Sequence, residues 1–241
     1  MIKSSPPHAR LAFTLIELLV VMAGIAIVLG IAVPALNSAY ERAKVAKDVS
    51  NLRQIGAATQ LYMNDNNGAF PGGGSPATTW MSQLNPKYLS SWRVLESPFD
   101  KRTTSELGDA TTRISYGINP SVYSSGVAIS ADKIKKPVTF IVFSPAQDTG
   151  NTVKFNTNAT ASAAAPGVTE SAGTSSPGGA ASGGTSNNRA KINALCADWH
   201  AETMPWSDPN KGPAFTNKSD PGKDSDAQYR WCPDPLSNPC P

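Results

Sequence analysis

Three residues close together near the end of an apolar run could carry chemistry: Asp198, His200 and Glu202. A carboxylate beside an imidazole could act in acid–base catalysis, and His200-Ala201-Glu202 is superficially similar to part of a zinc deaminase site. The chain lacks the Pro-Cys-x-x-Cys segment that completes such a site, and it has neither a His-Glu-x-x-His motif nor a glycine-rich phosphate loop. A turn aspartate bonded to a histidine is the commoner arrangement at a strand end, so we expect no enzymatic activity and no cofactor.

Glu17 is a second residue of chemical interest, because it lies at the start of an apolar stretch. From Leu18 to Leu36 the chain carries no charged residue. An ionisable side chain near the centre of a membrane helix costs about 2.5 to 3.5 kcal/mol on insertion scales, so a chain that keeps one usually uses it. Two explanations remain open: the carboxylate pairs with a positive charge, or it reaches the polar edge of the membrane.

The element that must position Glu17 is predicted to be a membrane-spanning helix, residues 13–36. Nineteen uncharged residues reach about 28 Å at 1.5 Å each, close to the hydrocarbon thickness of about 30 Å. The stretch is too long for a secretory signal, and no small-residue cleavage site follows it. Lys3 and Arg10 precede it and favour the cytoplasmic side, so we expect a single span with the following domain on the opposite side.

Composition narrows the classes of partner. The net charge is +3, of which Lys3 and Arg10 supply two, so the remainder of the chain is nearly neutral. A nucleic-acid surface needs clustered Lys and Arg, and we therefore predict no nucleic-acid partner. The chain has 19 Gly and 20 Pro, which predicts many loops and turns after the anchor.

Residues 12–21, Ala-Phe-Thr-Leu-Ile-Glu-Leu-Leu-Val-Val, resemble the class III signal of type IV pilins and type II secretion pseudopilins. The resemblance implies that prepilin peptidase removes a basic leader, residues 1–12, by cutting between Ala12 and Phe13, and then methylates the amine of Phe13. The family usually has Gly where this chain has Ala12. It also implies that the Phe13 amine neutralises Glu17 of a neighbouring subunit, so that Glu17 sets the height of each subunit in a filament.

The same resemblance implies a function, a location and partners. The chain would be a structural subunit of a type II secretion pseudopilus or a type IV pilus-like filament that assembles through its N-terminal helix. It would cross the inner membrane once, with its C-terminal domain in the periplasm or outside the cell. Its partners would be prepilin peptidase, copies of itself, other pseudopilins and an inner-membrane assembly platform. The alternative from another class is a single-span adhesin or binding protein that never polymerises.

The helix is predicted to continue beyond the membrane to about Met63, a length of about 75 Å, with residues 37–66 as its soluble half. Asn67-Gly68 is a natural stop. Pro34 predicts a kink, which is either an ordinary feature of a membrane helix or, by the resemblance, a place where the helix stretches during assembly. Apolar residues recur every three to four positions: Leu36, Ala39, Tyr40, Ala43, Ala46, Val49, Leu52, Ile55, Ala58, Leu61 and Tyr62. Charged residues are expected between these: Glu41, Arg42, Lys44, Lys47, Asp48 and Arg53.

Residues 67–241 are predicted to form a globular pilin-like head, which gives an α+β fold: the long helix packed on a small antiparallel sheet, with a loop-rich C-terminal region. The expected elements are a short helix over 80–89, an extended piece over 92–95, and strands over 114–119, 138–143 and 192–197. Three further segments, 96–100, 116–119 and 193–202, resemble a series of motifs found in pseudopilin-like proteins. This chain departs from the series at Trp199, which stands where the series has a turn glycine.

The end of the chain supplies the remaining predictions. Residues 157–188 are nearly all Ala, Ser, Thr, Gly, Asn and Pro, which predicts a flexible surface loop. Cys196 lies in an apolar run and is predicted to be a buried free thiol, while Cys232 and Cys240 are either a small disulfide loop or two unpaired thiols. Major pseudopilins often bind Ca²⁺ through C-terminal loops, so Ca²⁺ is a minor alternative to no metal. The aspartates that could bind it, or simply form turns, are Asp208, Asp220, Asp224, Asp226 and Asp234.

Overall fold

The computed structural model describes residues 14–72, 80–100, 114–124, 127–145, 191–205, 229–230 and 232–234. The loop predicted over 157–188 lies outside these residues. The structure divides between Arg42 and Ala43 into two compact units, called here the first unit and the second unit.

Helix α1, Leu15–Asp65, confirms the long helix and includes Pro34 without a break. Met63, close to its end, accepts a hydrogen bond at 2.8 Å from the backbone N–H of Gly68. Asn67 and Gly68 both have positive φ angles, 53° and 76°, which is the left-handed geometry that closes helices. The Asn-Gly stop predicted from the sequence is thus confirmed.

Four antiparallel strands form the main sheet in the order β1, β4, β5, β6. They are β1, Tyr116–Ile118; β4, Ile141–Pro145; β5, Lys191–Cys196; and β6, Ala201–Pro205. A two-stranded ribbon, β2 (Tyr123–Ser124) with β3 (Val127–Ala128), lies between β1 and β4 in the chain. Helix α2, Trp80–Leu84, places its Trp80 ring 5.0 Å from that of Phe143 in β4.

The core of the second unit joins one face of α1 to the sheet. Leu52 and Ile55 of α1 are fully buried, as are Tyr116 of β1, Phe143 of β4 and Leu195 of β5. The buried positions of α1 recur every three to four residues from Asp48 to Met63, which is one face of a helix. A long helix with a small antiparallel sheet is the predicted α+β fold class.

Several predicted elements differ in detail. Residues Trp92–Leu95 form a 3₁₀ helix rather than an extended piece, because the side chain of Ser91 accepts the N–H of Arg93 and caps it. The helix begun at Trp80 ends at Leu84, before Asn85-Pro86, since the residue before a proline avoids the helical region. Strand β4 begins at Ile141 because residues 137–139 form a turn, and β6 and the β2–β3 ribbon were not predicted.

Candidate functional site

Glu17 in the first unit caps the helix on which it lies. Its Oε2 accepts hydrogen bonds from the backbone N–H of Thr14 at 2.9 Å and from the Thr14 hydroxyl at 2.8 Å. The Thr14 hydroxyl oxygen accepts the N–H of Glu17 at 3.3 Å in return. This reciprocal pattern is a capping box, and its sequence signature, Thr followed three residues later by Glu, was overlooked in the sequence prediction.

The helix that follows Glu17 is apolar on every side. Leu15 is 82% exposed and Ile31 72% exposed, and the large apolar residues between them are also exposed. Within the described residues, α1 is the one helix long and apolar enough to cross a membrane. A helix that is hydrophobic all round is typical of a membrane span or of the interior of a helical bundle.

The structure does not describe the predicted processing site. Ala12 and Phe13 lie outside the described residues, so the predicted cut and the methylated amine stay predictions. Every partner of the Glu17 carboxylate within residues 14–72 belongs to Thr14. Pro34 lies within helical residues on both sides, and its assembly role also stays a prediction.

The sequence predicted that the charged residues of α1 lie between its buried positions, and for Asp48 this prediction is wrong. Its side chain is fully buried in the second unit. Three side chains donate hydrogen bonds to its carboxylate: Ser97 to Oδ1 at 2.6 Å, Tyr116 to Oδ1 at 2.7 Å, and Asn193 to Oδ2 at 2.6 Å. A buried carboxylate is tolerated when its lone pairs are satisfied, and here the donors come from three separate segments of the chain.

These donors are themselves positioned by further hydrogen bonds. The N–H of Phe99 donates to the Ser97 hydroxyl, and the amide of Asn51 donates to the Tyr116 hydroxyl at 3.2 Å. The Thr203 hydroxyl donates to the amide oxygen of Asn193 at 2.6 Å. Each of the three donors thus accepts a second hydrogen bond that holds it in place, and the hydrogen bonds of the whole set are donated toward the Asp48 carboxylate. We call this set of residues the Asp48 network.

Burial dominates the electrostatics of this network. Removal from water raises the pKa of Asp48, and the hydrogen bonds from Ser97, Asn193 and Tyr116 oppose the rise. Burial, followed by the nearby Asp48 charge, raises the pKa of Tyr116 well above its ordinary value. No cation pairs with Asp48 within the described part of the chain, so neutral donors alone stabilise its carboxylate.

The Asp48 network shows what the three segments that resemble the pseudopilin-like series, 96–100, 116–119 and 193–202, do in this structure. Ser97 comes from the first segment, Tyr116 from the second and Asn193 from the third, and all three meet on one residue of α1. Asn119 of the second segment donates to the carbonyl oxygen of Ile141 and so fastens β1 to β4. In the structure these motif residues attach the sheet to the helix.

The residues singled out for acid–base chemistry lie in the turn between β5 and β6. The Asp198 carboxylate accepts the backbone N–H of His200 at 3.2 Å and lies 2.5 Å from Nδ1 of the same residue. This is the turn aspartate with a bonded histidine that sequence reasoning favoured. Trp199, which stands where the similar pseudopilin-like series has a turn glycine, has a φ of 70°, a conformation that bulky residues rarely adopt.

The cysteines and the predicted calcium ligands are only partly described. Cys196 is a buried free thiol, as predicted; burial first, then Glu202 and Asp198, raises its pKa to about 12. Cys232 is buried and disulfide-bonded, while its predicted partner Cys240 lies outside the described residues. Of the aspartates proposed for Ca²⁺, Asp234 is described, and its Oδ2 lies 3.9 Å from Nζ of Lys135. The other aspartates proposed for Ca²⁺ lie outside the described residues: Asp208, Asp220, Asp224 and Asp226.

Comparisons with protein-family models, with curated proteins and with solved structures find no match for this chain.

Proposed function

We propose that the chain is a structural subunit of a type II secretion pseudopilus or a type IV pilus-like filament, assembled through its N-terminal helix. The observation that carries the proposal is the fully apolar, exposed surface of α1 between Leu15 and Leu36, with one carboxylate at its start. Such a surface must be covered by lipid before assembly and by other helices afterwards, because exposed apolar surface of this extent is unfavourable in water.

In this proposal the subunit starts in the inner membrane as a single span, with the second unit in the periplasm or outside the cell. Prepilin peptidase removes residues 1–12 and methylates Phe13. The assembly platform then adds the subunit beside copies of itself and other pseudopilins. The Asp48 network supports this role, since a buried set of hydrogen bonds fixes the sheet to the part of α1 that belongs to the second unit.

Glu17 has two roles in the proposal, and they can be separated by mutation. Its contacts with Thr14 start the helix, and its charge pairs with the Phe13 amine of a neighbouring subunit. Glu17→Gln keeps an amide oxygen that can accept both Thr14 hydrogen bonds but removes the charge. Thr14→Ala has the opposite effect, because it removes the side-chain part of the cap and keeps the charge.

We expect Glu17→Gln to insert normally but to reduce the yield of sheared filaments at least about tenfold, because a lost charge-assisted contact of 1.4 kcal/mol or more has this effect. Thr14→Ala should lower the yield by no more than about fivefold, since a cap contributes about 1 kcal/mol and each 1.4 kcal/mol corresponds to a factor of ten. Both variants are compared in a host that supplies prepilin peptidase and an assembly platform. Wild-type filament yield from Glu17→Gln would refute the pairing.

Processing is tested separately by intact-mass analysis of the membrane-extracted chain. The proposal predicts a chain that begins at Phe13 and carries one added methyl group. An intact Met1, together with monomeric behaviour after detergent extraction, would instead identify the single-span binding protein or adhesin.

A further inference from the structure

The hairpin formed by β5 and β6 gathers three different metal-binding groups. Cys196 ends β5, His200 lies in the turn, and Glu202 lies in β6. The Cys196 sulfur, an imidazole nitrogen of His200 and a carboxylate oxygen of Glu202 all lie within 4.8 Å of one another. Glu202 pairs with Ala194 across the hairpin, and Cys196 shares the strand face of Ala194 because successive side chains alternate.

Asp198 orients the imidazole as a metal ligand requires. Its carboxylate can only accept, so the neutral His200 ring carries its proton on Nδ1, 2.5 Å from Asp198 Oδ1. This leaves the lone pair of Nε2 on the side of Glu202, whose Oε1 is 4.0 Å away. A carboxylate behind a histidine is the usual support of a histidine bound to a metal ion, and it is an observation independent of the three-residue cluster.

The charges of the site also suit a divalent cation. When the ion binds, the Cys196 thiol releases its proton to solvent; the thiolate, Asp198 and Glu202 then supply three negative charges, and Arg230 supplies one nearby positive charge. The resulting excess of two negative charges is the charge that one divalent ion neutralises. Cys196 is fully buried, whereas the side chains of His200 and Glu202 are 37% and 49% exposed, so an ion can approach from their side.

We propose that Cys196, His200 and Glu202 bind one Zn²⁺ ion, with water completing a tetrahedral site and Asp198 acting as a positioning residue. Sulfur and nitrogen donors favour Zn²⁺ over Ca²⁺, which prefers oxygen ligands alone. Atoms on a tetrahedral zinc ion are about 3.3 to 3.7 Å apart at the usual Zn–N and Zn–S distances, so the three side chains must close inward by roughly 1 Å. Small rotations of the half-exposed His200 and exposed Glu202 side chains provide this movement.

The test is titration of the purified full-length chain in detergent, without a polyhistidine tag, first with Zn²⁺ by calorimetry and then with Co²⁺ by absorption. We expect one equivalent of Zn²⁺ to bind and Co²⁺ to give the charge-transfer band of a thiolate ligand. His200→Gln and Glu202→Gln should each weaken binding at least about tenfold, and Asp198→Asn should weaken it about 10- to 100-fold while leaving one site. Cys196→Ser should abolish the Co²⁺ thiolate band.

Asp132→Asn is the matched control, because Asp132 is an exposed acid outside the hairpin, and it should bind both metals as wild type does. His200→Gln and Glu202→Gln change side chains that are 37% and 49% exposed, so they keep the test valid if Cys196→Ser fails to fold. The proposal is overturned if wild type binds no Zn²⁺ at micromolar concentration. It is equally overturned if the double variant of His200 and Glu202 binds Zn²⁺ as wild type does, or if Co²⁺ gives no thiolate band.

Discussion

Helix α1 carries two carboxylates in opposite surroundings. Glu17 lies among exposed apolar side chains and is bonded to Thr14, three residues away. Asp48 is fully buried and is bonded to side chains 49, 68 and 145 residues away. The difference shows that one helix can keep a carboxylate for two reasons. Asp48 accepts hydrogen bonds from distant parts of its own chain, whereas the donors to Glu17 within residues 14–72 all belong to Thr14 at the start of the helix.

Replacing these two acids should therefore have unequal effects on the second unit. Asp48→Ala leaves the hydroxyls of Ser97 and Tyr116 and the amide of Asn193 without their acceptor, and we expect it to lower the free energy of unfolding by about 3 to 5 kcal/mol. Glu17→Ala should leave that free energy unchanged. Urea denaturation of both variants, followed by tryptophan fluorescence, measures the difference.

Lys47 is an exposed neighbour of Asp48 on the same helix, so Lys47→Ala is the control for the change in helix propensity at this part of α1. If Asp48→Ala lowered the unfolding free energy no more than Lys47→Ala does, the Asp48 network would not stabilise the second unit.

Two glycines of α1 allow a similar comparison between the second unit and the first unit, with a smaller expected effect on stability. A Cβ atom at Gly56 would lie 3.0 Å from Leu195 Cδ2 and 3.3 Å from Trp199 Cε3, whereas one at Gly30 meets nothing within 4 Å. Gly56→Ala should destabilise the second unit by about 1 to 3 kcal/mol through overpacking, less the roughly 1 kcal/mol that alanine adds to a helix.

Gly30→Ala gains the helix propensity without the clash, so the unfolding of the second unit should be unaffected. Thermal unfolding of the two variants in the same detergent checks this. A Gly56→Ala protein as stable as wild type would mean that Leu195 and Trp199 move aside at no cost.

The smallest expected effect is a dependence on pH that arises from Asp48. Burial raises its pKa in the folded chain above the ordinary value of 3.8, so the folded state holds the proton to higher pH than the unfolded state does. The stability of wild type relative to Asp48→Asn should therefore be greatest near or below about pH 4 and should decline as pH rises through the folded pKa. Urea denaturation of both proteins across this range gives the difference.

A difference in stability that instead grew with pH would show that the three donated hydrogen bonds outweigh burial and lower the pKa. Glu17 offers the contrast, because its replacement by Gln should leave the pH dependence of the second unit unchanged.

The helix and its end were predictable because the signals are local. The apolar run, the helical spacing up to Met63 and the Asn67-Gly68 stop each depend on residues a few positions apart. The Thr14 and Glu17 capping box is equally local and could have been read from the sequence. The strand at Ile141 was displaced by a neighbouring turn, since strand limits depend on pairing partners far along the chain.

The sequence alone determined a long helix whose first half is apolar, its end at an Asn-Gly pair and the short strands that follow, because those features depend on spacing and local backbone preference. Only the tertiary structure decided that Asp48, which the sequence placed among the exposed charges of the helix, is buried. Its burial depends on donors from Ser97, Tyr116 and Asn193, which are brought to one point only when the sheet packs on the helix.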